Sequence, residues 1–374
     1  MNDSTKPTMD VFWHDDALKH DPGSGLFGAV PSPLMAVNET HTEGDERIRN
    51  MYSVLKRGPL KKHLRWHEGR YATKDEVLTF HDGTYFEGLR QADADGGRRY
   101  DATTNLAPGS FDAILSSAGT ALMAMQHMLD GKGDRVYALV RPPGHHSSPD
   151  QADGYCFLNQ VGLCAELARA NGKARVATID WDVHHGNGTQ EGFYGRDDVL
   201  TISLHMDHGG PWGPAHPQTG KAYEVGCDGG VGYNINVPLP MGSGDTDYER
   251  AMTDIVMPAL DNFKPEALII ACGQDANAYD PNGRQSVSMN GFYRLGELAR
   301  GIADKHTGGQ ICLIQEGGYQ WSYAALCLDA TLEGVLGVGR LLDDPMDYYK
   351  LDPNHAKAAI ATIIDDRAAA IADA

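Results

Sequence analysis

The sequence predicts an α/β fold with three layers (αβα), in which helices cover both faces of a central, mostly parallel sheet. Short runs rich in Val, Ile, Leu and Ala alternate with longer segments whose apolar residues recur at three- and four-residue spacing. Acidic and histidine clusters follow directly after several of the apolar runs. Since ligands of open α/β sheets bind beyond the carboxyl ends of the strands, these clusters are expected to converge.

The same patterns place the individual elements. Strands are predicted at 135–140, 174–180, 199–205, 267–272 and 310–315. Helices are predicted at 42–57, 111–129, 159–170, 247–262 and 289–305, the first of them ended by Gly58 and Pro59. Residues 1–101 are richer in charge and poorer in periodicity, so they are expected to supply loops around the crevice. Residues 205–230 contain many glycines and are predicted to form a long irregular loop.

The 374 residues contain no internal repeat, low-complexity tract or convincing linker. Length alone allows one large domain or two ordinary ones. We predict a single domain over residues 1–374, with a flexible tail at residues 1–10, where the sequence is polar and contains Pro7. Long surface loops are compatible with a homo-oligomer, although no motif establishes one.

Composition excludes several classes of partner. The formal net charge is -19, whereas binding to a nucleic-acid backbone needs clustered Lys and Arg. A secretory signal and a bilayer-spanning apolar run are both missing from the sequence. The six cysteines are scattered without CxxC pairs, so no structural disulfides are expected. These features predict a cytoplasmic protein with neither a nucleic acid nor a membrane as its partner.

The densest polar cluster follows the apolar run 174–179, in the sequence Asp180-Trp-Asp182-Val-His184-His185-Gly-Asn187-Gly. In an extended chain, side chains two residues apart project to the same side, so Asp180, Asp182 and His184 are expected to share one face. A carboxylate and an imidazole held in this way supply two of the three protein ligands of a catalytic zinc site. The alternative is a polar loop after a buried strand, but the density of the cluster favours the site.

Four further clusters complete the pattern. Asp275 follows a strand and supplies the missing third ligand. The paired imidazoles of His145 and His146 follow Arg-Pro-Pro-Gly, whose prolines restrict the backbone, and paired histidines suit proton transfer. The glycines of Glu316-Gly317-Gly318-Tyr319 allow a tyrosine hydroxyl to approach a substrate carbonyl closely. Gly154-Tyr155-Cys-Phe offers aromatic rings for a narrow apolar passage.

Together these motifs resemble the zinc-dependent histone deacetylase family, specifically its class II branch and the related bacterial histone-deacetylase-like amidohydrolases and acetylpolyamine amidohydrolases. The resemblance extends from about Arg47 to about Tyr319, with the order and spacing of five motifs intact. It implies the arginase/deacetylase fold and one Zn²⁺ per chain. The implied reaction removes acetyl or other short acyl groups from amine nitrogen, with a small-molecule or peptide acyl-amine as the substrate.

The resemblance also implies roles for individual residues. Asp182, His184 and Asp275 would ligate zinc, the same set that ligand chemistry alone selects. His146 would act as general base and then general acid. His145 would be its electrostatic partner, oriented by Asp180. The remaining roles fall to Tyr319, which would donate to the developing oxyanion, to Asn187, which would support His146, and to Gly154, Tyr155, Gly317 and Gly318, which would contact substrate.

A structural K⁺ close to the zinc is a further implication, with Asp180, Ser203 and Leu204 in the matching places. Two positions depart from the usual pattern. Gln274 replaces an apolar or aromatic residue, and Asn282 stands where polyamine-selective members carry an acid. The second departure counts against a polyamine specialist.

Several histidines and one arginine have alternative interpretations. We interpret His185 as a structural residue beneath the site. His205, His208 and His216 could form a second metal site, but their irregular spacing favours a role in shaping the mouth with Trp212. Arg47 either faces an internal channel behind the zinc or is a solvated helix charge.

Two other functions compete with the deacetylase hypothesis. A binuclear manganese ureohydrolase on the related arginase fold would need additional acids, commonly an Asp at the position of Asn277. A non-catalytic acyl-lysine binder would be expected to lack a ligand, the His pair or the Tyr, and none of these is missing.

Overall fold

The computed structural model describes residues 7–25, 34–37, 39–208, 220–347 and 357–373. The strands are β1 Met9–Trp13, β2 Leu64–Glu68, β3 Arg98–Arg99, β4 Asn105–Leu106, β5 Arg135–Ala138, β6 Val176–Asp180, β7 Val199–Met206, β8 Asn234–Leu239, β9 Ala267–Cys272 and β10 Ile311–Gln315. The helices are α1 Asp45–Arg57, α2 Lys74–Val77, α3 Gly83–Ala94, α4 Ser110–Leu129, α5 Gln160–Ala170, α6 Asn187–Phe193, α7 Asp245–Ala251, α8 Met257–Phe263, α9 Met289–His306, α10 Trp321–Leu336 and α11 Lys357–Asp373. A π-helical turn, Met252–Val256, joins α7 to α8.

Eight strands form one sheet in the order β2-β1-β5-β10-β9-β6-β7-β8. Every neighbouring pair in this sheet is parallel. The short strands β3 and β4 form a separate antiparallel pair. All eight carboxyl ends of the main sheet therefore lie at one edge, which is where the sequence places its polar clusters.

Apolar packing on both faces of the sheet produces the three layers. Along β9, Leu268 and Ile270 belong to one buried cluster, whereas Ile269 belongs to the other. The first cluster includes residues of α1 and α7 to α10, and the second includes residues of α3, α4 and α5. Because both faces are buried, the central strands are continuous apolar runs. The predicted fold class is confirmed.

The five predicted strands and the helices at 111–129, 159–170 and 289–305 are present within one or two residues at each end. Helix α5 begins where predicted because the Asn159 side chain accepts a hydrogen bond from the Gly162 N–H. The helix predicted at 247–262 is α7 and α8 with the π-helical turn between them. Helix α1 begins at Asp45, three residues after the predicted start.

Residues 1–101 supply more than the expected loops around the crevice and the helix at 42–57. Strands β1 and β2 extend the sheet, and β1 is completely buried. The predicted flexible tail at residues 1–10 is wrong for Met9 and Asp10, which belong to β1, and residues 1–6 lie outside the described part. Strand β8 was also not predicted, because Pro238 and two asparagines interrupt its apolar pattern.

Two expectations from composition can be compared with the structure. All six cysteines are free in the structure. Among the described residues, no helix is both long and apolar enough to cross a bilayer.

The buried acid Asp329 in α10 makes stability depend on pH. Within the described part of the chain, no donor reaches either carboxylate oxygen of Asp329, and Glu333 lies one turn away, ion-paired with Arg340. Burial, and then the charge of Glu333, raise the pKa of Asp329 from 3.8 to about 8. Since the folded protein holds this proton more tightly than the unfolded chain, its ionisation removes stability as pH rises from about 4 to about 8.

We therefore expect the melting temperatures of Asp329→Asn and wild type to be similar at pH 5. As the pH rises from 5 to 8, the melting temperature of Asp329→Asn should increase relative to that of wild type. Thermal unfolding across this range measures the difference between the two proteins. A difference that stays constant with pH, or that shrinks as pH rises, would contradict the raised pKa.

Candidate active site

Two strand ends in the middle of the sheet bring three metal-capable side chains together. Asp182 and His184 follow β6, and Asp275 follows the adjacent β9. His184 Nδ1 lies 3.1 Å from Asp182 Oδ1 and 3.1 Å from Asp275 Oδ2. Both carboxylates are fully buried, and His184 is partly buried. The predicted convergence of these residues is therefore observed.

The sequence predicts that strand alternation brings these side chains together. The convergence instead has a different origin. Strand β6 ends at Asp180. Beyond it, the Asp182 N–H donates to Asp180 Oδ1 at 3.0 Å, and the His184 N–H donates to Asp182 Oδ1 at 2.9 Å. These side-chain to backbone bonds turn the chain. Tight turns, rather than an extended segment, therefore aim the side chains inward.

The donor set fits a divalent cation. Ligands about 2.0–2.1 Å from a tetrahedral zinc lie about 3.3 Å from one another, close to the 3.1 Å separations at His184. Burial, and then the neighbouring Asp182 carboxylate, raise the pKa of Asp275 to about 8. Burial opposes a charged His184, but its bonds to Asp182 and Asp275 outweigh that effect and raise its pKa to about 10. A bound cation would take the place of these protons, because it needs Asp275 ionised and His184 neutral.

Backbone groups hold the far sides of the carboxylates. The Val183 N–H donates to Asp275 Oδ1 at 2.8 Å, and the Gly317 N–H donates to Asp182 Oδ2 at 2.8 Å. A Cβ at Gly317 would lie 2.2 Å from Asp275 Oδ2 and 2.7 Å from Asp182 Oδ2. Both carboxylates can occupy their positions only because residue 317 has no side chain.

We expect Gly317→Ala to weaken zinc affinity by about 10-fold or more, because the new methyl group must displace both carboxylates. Competition with a chromophoric chelator measures the affinity. Gly301→Ala is the matched control, since no heavy atom lies within 4 Å of that Cβ position. Equal affinity in the two variants would show that the Gly317 contact does not shape the site.

A second group of side chains surrounds His146, which is partly buried beside the three metal-capable side chains. His146 Nδ1 lies 2.5 Å from Asn187 Oδ1, and Asn187 Nδ2 donates to Asp153 Oδ2 at 3.0 Å. Because Asp153 can only accept, the Asn187 oxygen must face His146. His146 therefore carries its proton on Nδ1, and Nε2 keeps a free lone pair. Burial, and then the charges of His145 and His184, lower the pKa of His146 well below its ordinary value.

His145 packs against His146, with ring centroids 4.0 Å apart and ring planes inclined by 47°. Its Nδ1 lies 2.8 Å from Asp180 Oδ2, the predicted pairing. Burial opposes a charged His145, but the charges of Asp180 and Asp182 outweigh it and raise its pKa well above the ordinary value. The raised and lowered pKa values therefore favour a charged His145 beside a neutral His146.

Tyr319 lies beside the same cluster, with its ring centroid 6.5 Å from that of His184. Asp280 accepts hydrogen bonds from the backbone N–H groups of Tyr319 and Gln320, at 2.7 and 3.1 Å. Burial, and then the charges of Asp182 and Asp275, raise the pKa of the Tyr319 phenol well above its ordinary value. The phenol therefore keeps its proton and can act as a hydrogen-bond donor.

Arg47 is fully buried in α1 and is not a solvated helix charge. Its guanidinium pairs with Glu43 at 2.9 Å, donates to the Glu316 carbonyl at 3.0 Å and lies 5.5 Å from the centre of the Tyr319 ring. Behind the His pair, Glu316 Oε2 accepts hydrogen bonds from the N–H groups of Gly144 and His145 at 2.8 and 3.3 Å.

The predicted substrate-contacting residues occupy two different places. Tyr155, at φ 70°, and Tyr319 pack edge to face with ring centroids 5.7 Å apart, and Gly154 packs directly on the His146 ring. Gly317 lies against the ligand carboxylates, and the Cα of Gly318 faces Met51, Gln274 and Ala324. Contact between these residues and substrate stays a prediction.

The candidate potassium residues lie on neighbouring strands. Asp180 in β6 pairs with Ser203 in β7, and the Ser203 hydroxyl lies 2.9 Å from His205 Nδ1. Leu204 is buried in the core. As interpreted from sequence, His185 bonds beneath the site, with Nε2 2.9 Å from Gln190 Oε1.

The suggestion of a second metal site in the 205–230 segment has no support in the described residues. His205 Nε2 contacts the Gly220 carbonyl at 2.8 Å, and neither His205 nor His208 belongs to a described cluster of three metal-capable side chains. His216 and Trp212 lie outside the described residues.

Comparison with known proteins agrees with this geometry. The histone deacetylase domain family matches residues 41–335. The chain is 51% identical to "Histone deacetylase 8" of Arabidopsis thaliana, over 95% of each protein. It is 40% identical to the "Histone deacetylase-like amidohydrolase" of Pseudomonas aeruginosa, over 92% of this chain and 89% of that protein.

Two further relatives extend the comparison. The "Acetylpolyamine amidohydrolase" of Burkholderia pseudomallei is 38% identical, over 77% of this chain and 78% of that protein. The crystal structure of the HDA15 HD domain superposes with a TM-score of 0.81 at 29% identity, over 97% of this chain and 96% of that chain. The chain therefore belongs to the histone deacetylase family, has the arginase/deacetylase fold and is a hydrolase that acts on amide bonds.

Proposed function

We propose that this protein is a zinc-dependent amidohydrolase that removes acetyl or other short acyl groups from amine nitrogen. The observation that carries the proposal is one buried cluster in which Asp182, His184 and Asp275 converge between His146 and Tyr319. One Zn²⁺ per chain would be held by the three converging side chains. When bound, it would polarise the amide carbonyl and make a water more acidic.

His146 is the proposed general base and acid. Its Nε2 takes a proton from the attacking water and later delivers a proton to the departing amine. Proton transfer by Nε2 requires the tautomer of His146 that carries its proton on Nδ1. The Asn187–Asp153 pair fixes this tautomer, because the Asn187 oxygen accepts the Nδ1 proton in a hydrogen bond. Burial, and then the charge of His145, lower the pKa of His146, which helps it to give its proton to the amine as the amine departs.

Tyr319 is the proposed donor to the carbonyl oxygen. As that oxygen gains charge, a donor already aimed at it gains strength without reorganisation. Asp280 holds the backbone at Tyr319 and Gln320, so the ring is positioned before substrate arrives. Together with Tyr155, it would form the wall of an acyl passage.

The substrate class follows less directly from the site. Acetyl-lysine-type and acetylpolyamine-type substrates need the same ligands, His pair and Tyr. The Asn282 amide donates to the Tyr155 hydroxyl at 3.3 Å, so a neutral group stands where a cation-binding acid would be needed. We therefore favour N-acyl substrates whose remaining part is not a polycation. A structural K⁺ at Asp180, Ser203 and Leu204 is also part of the proposal.

The binuclear manganese alternative is disfavoured by Asn277. Its amide donates to the Gln274 carbonyl at 2.7 Å and lies 3.3 Å from Asp280 Oδ2, so it closes a turn and adds no charge to the cluster. The ligands available in the described part of this site suit one ion.

The proposal is tested by measuring turnover of the zinc-loaded protein on acetyl-lysine peptides, trifluoroacetyl-lysine and acetylputrescine-type amines. We expect hydrolysis of the lysine amides and slower hydrolysis of the polyamines. Hydrolysis of none of them by fully metallated protein would overturn the proposed reaction. Preference for the polyamines would overturn only the substrate class.

A further inference from the structure

A second cluster of metal-capable side chains lies far from the proposed active site. It consists of Asp10 in β1, His67 in β2 and His127 near the end of α4, whose candidate ligand atoms all lie within 4.8 Å of one another. In the sheet order, β1 is separated from β9 by β5 and β10. Three strand spacings amount to about 14 Å, so this cluster cannot share a metal with the active site.

The two imidazoles approach the same carboxylate. His67 Nε2 lies 2.6 Å from Asp10 Oδ1, and His127 Nε2 lies 3.5 Å from Asp10 Oδ2. Asp10 is buried, with 2% of its side chain exposed. Packing holds the rings in place, because His67 stacks on Phe12 at 4.7 Å and Phe12 meets the edge of His127 at 5.3 Å.

One of these nitrogens makes no hydrogen bond within the described part of the chain. His127 Nε2 is buried from water, and its 3.5 Å separation from Asp10 Oδ2 is an ion-pair distance rather than a hydrogen bond. A buried ring nitrogen without a hydrogen bond is unfavourable, and a metal ion would satisfy it.

The local backbone leaves room at the same point. A Cβ at Gly133 would lie 2.2 Å from Asp10 Oδ2 and 3.2 Å from His127 Nε2. The space between these two atoms is therefore open only because residue 133 has no side chain.

Arg65 is the competing cation. It donates to both oxygens of Asp10, at 2.9 and 2.6 Å. Each carboxylate oxygen has two lone pairs, so the arginine and a metal can share the group. The Arg65 side chain is also 53% exposed, which allows it to turn toward solvent when a metal binds.

We propose that Asp10, His67 and His127 form a second, structural site for a divalent first-row transition ion of the zinc class. Two imidazoles and one carboxylate are a ligand set that such ions accept, with water in the remaining position. The site would tie together β1, β2 and the end of α4, three segments distant in sequence. Stability, rather than turnover, would depend on its occupancy.

The test uses the full-length protein stripped of metal, reloaded with Zn²⁺ and passed through gel filtration before metal analysis. Wild type is expected to retain two equivalents. His67→Gln/His127→Gln is expected to retain one and to keep its deacetylase activity. The reciprocal variant Asp182→Asn/His184→Gln is expected to retain one as well, but without activity.

Gly133→Ala keeps all three ligands and fills only the space between them, so it should also retain one equivalent. Thermal unfolding gives a second readout, since zinc should raise the melting temperature of Asp182→Asn/His184→Gln but not that of the same protein carrying Gly133→Ala. The proposal is overturned if wild type and His67→Gln/His127→Gln retain the same amount of zinc. It is also overturned if Asp182→Asn/His184→Gln retains none.

Discussion

Replacing His146 with alanine is expected to lower turnover by about 10²–10⁴-fold while the protein stays folded and loaded with metal. The imidazole is the proposed carrier of the proton from the attacking water to the departing amine. Among the described residues of the site, no other neutral imidazole has its Nδ1 engaged in a hydrogen bond and its Nε2 free. His184 is a proposed ligand, and His145 is held in its charged form by Asp180. Steady-state kinetics and metal analysis on the same sample measure the effect.

His306→Ala is the control for this experiment, because the His306 ring pairs with Asp261 at the end of α9 and is not part of the proposed site. It should retain wild-type turnover. A large loss of zinc from His146→Ala would mean that His146 is a ligand rather than a base. Turnover near the wild-type value would remove His146 from the mechanism.

Tyr319→Phe is expected to retain zinc and to lose about 100-fold or more in turnover. The change deletes one hydroxyl, while the ring keeps its packing against Tyr155 and its place above Arg47. A donor that strengthens only as charge develops acts on the transition state, so kcat should fall with little change in KM. Initial rates over a range of acetyl-lysine peptide concentrations separate the two parameters.

Tyr71→Phe provides the matched control, since Tyr71 is exposed and bonds to Asp16. It should leave both parameters unchanged. If Tyr319→Phe raised KM and left kcat intact, Tyr319 would be a binding residue, and the assignment of the oxyanion donor would be wrong.

The sequence predicted the centre of the sheet better than its edges. Strands β6, β7, β9 and β10 are buried on both faces, so their apolar runs are long and unmixed. Strand β2 is an edge strand with the sequence Leu-Arg-Trp-His-Glu. It was not predicted because three of its five residues are polar, so it has no apolar run. Edge strands carry a weaker pattern because one side has no partner and polar residues are tolerated there.

The residues of the site that point inward were predicted, but those that hold them were not. Asp182, His184, Asp275, His146 and Tyr319 follow strand ends and stand in dense motifs. By contrast, Asp153 accepts a hydrogen bond from the Asn187 amide, and Asp280 accepts hydrogen bonds from backbone N–H groups, including that of Tyr319. Such contacts join loops distant in sequence, so neither spacing nor periodicity reveals them. The one available signal was an acid in a turn close to each motif.

The most direct test of the central claim adds zinc stepwise to the metal-free protein while acetyl-lysine hydrolysis is followed. The His67→Gln/His127→Gln background limits binding to the proposed catalytic ligands. We predict that hydrolysis rises from near zero to a plateau at one equivalent, and that Asp275→Asn in this background stays inactive throughout. Full hydrolysis before any metal is added, or a normal plateau in the Asp275→Asn protein, would contradict the claim that these three side chains hold the ion on which the reaction depends.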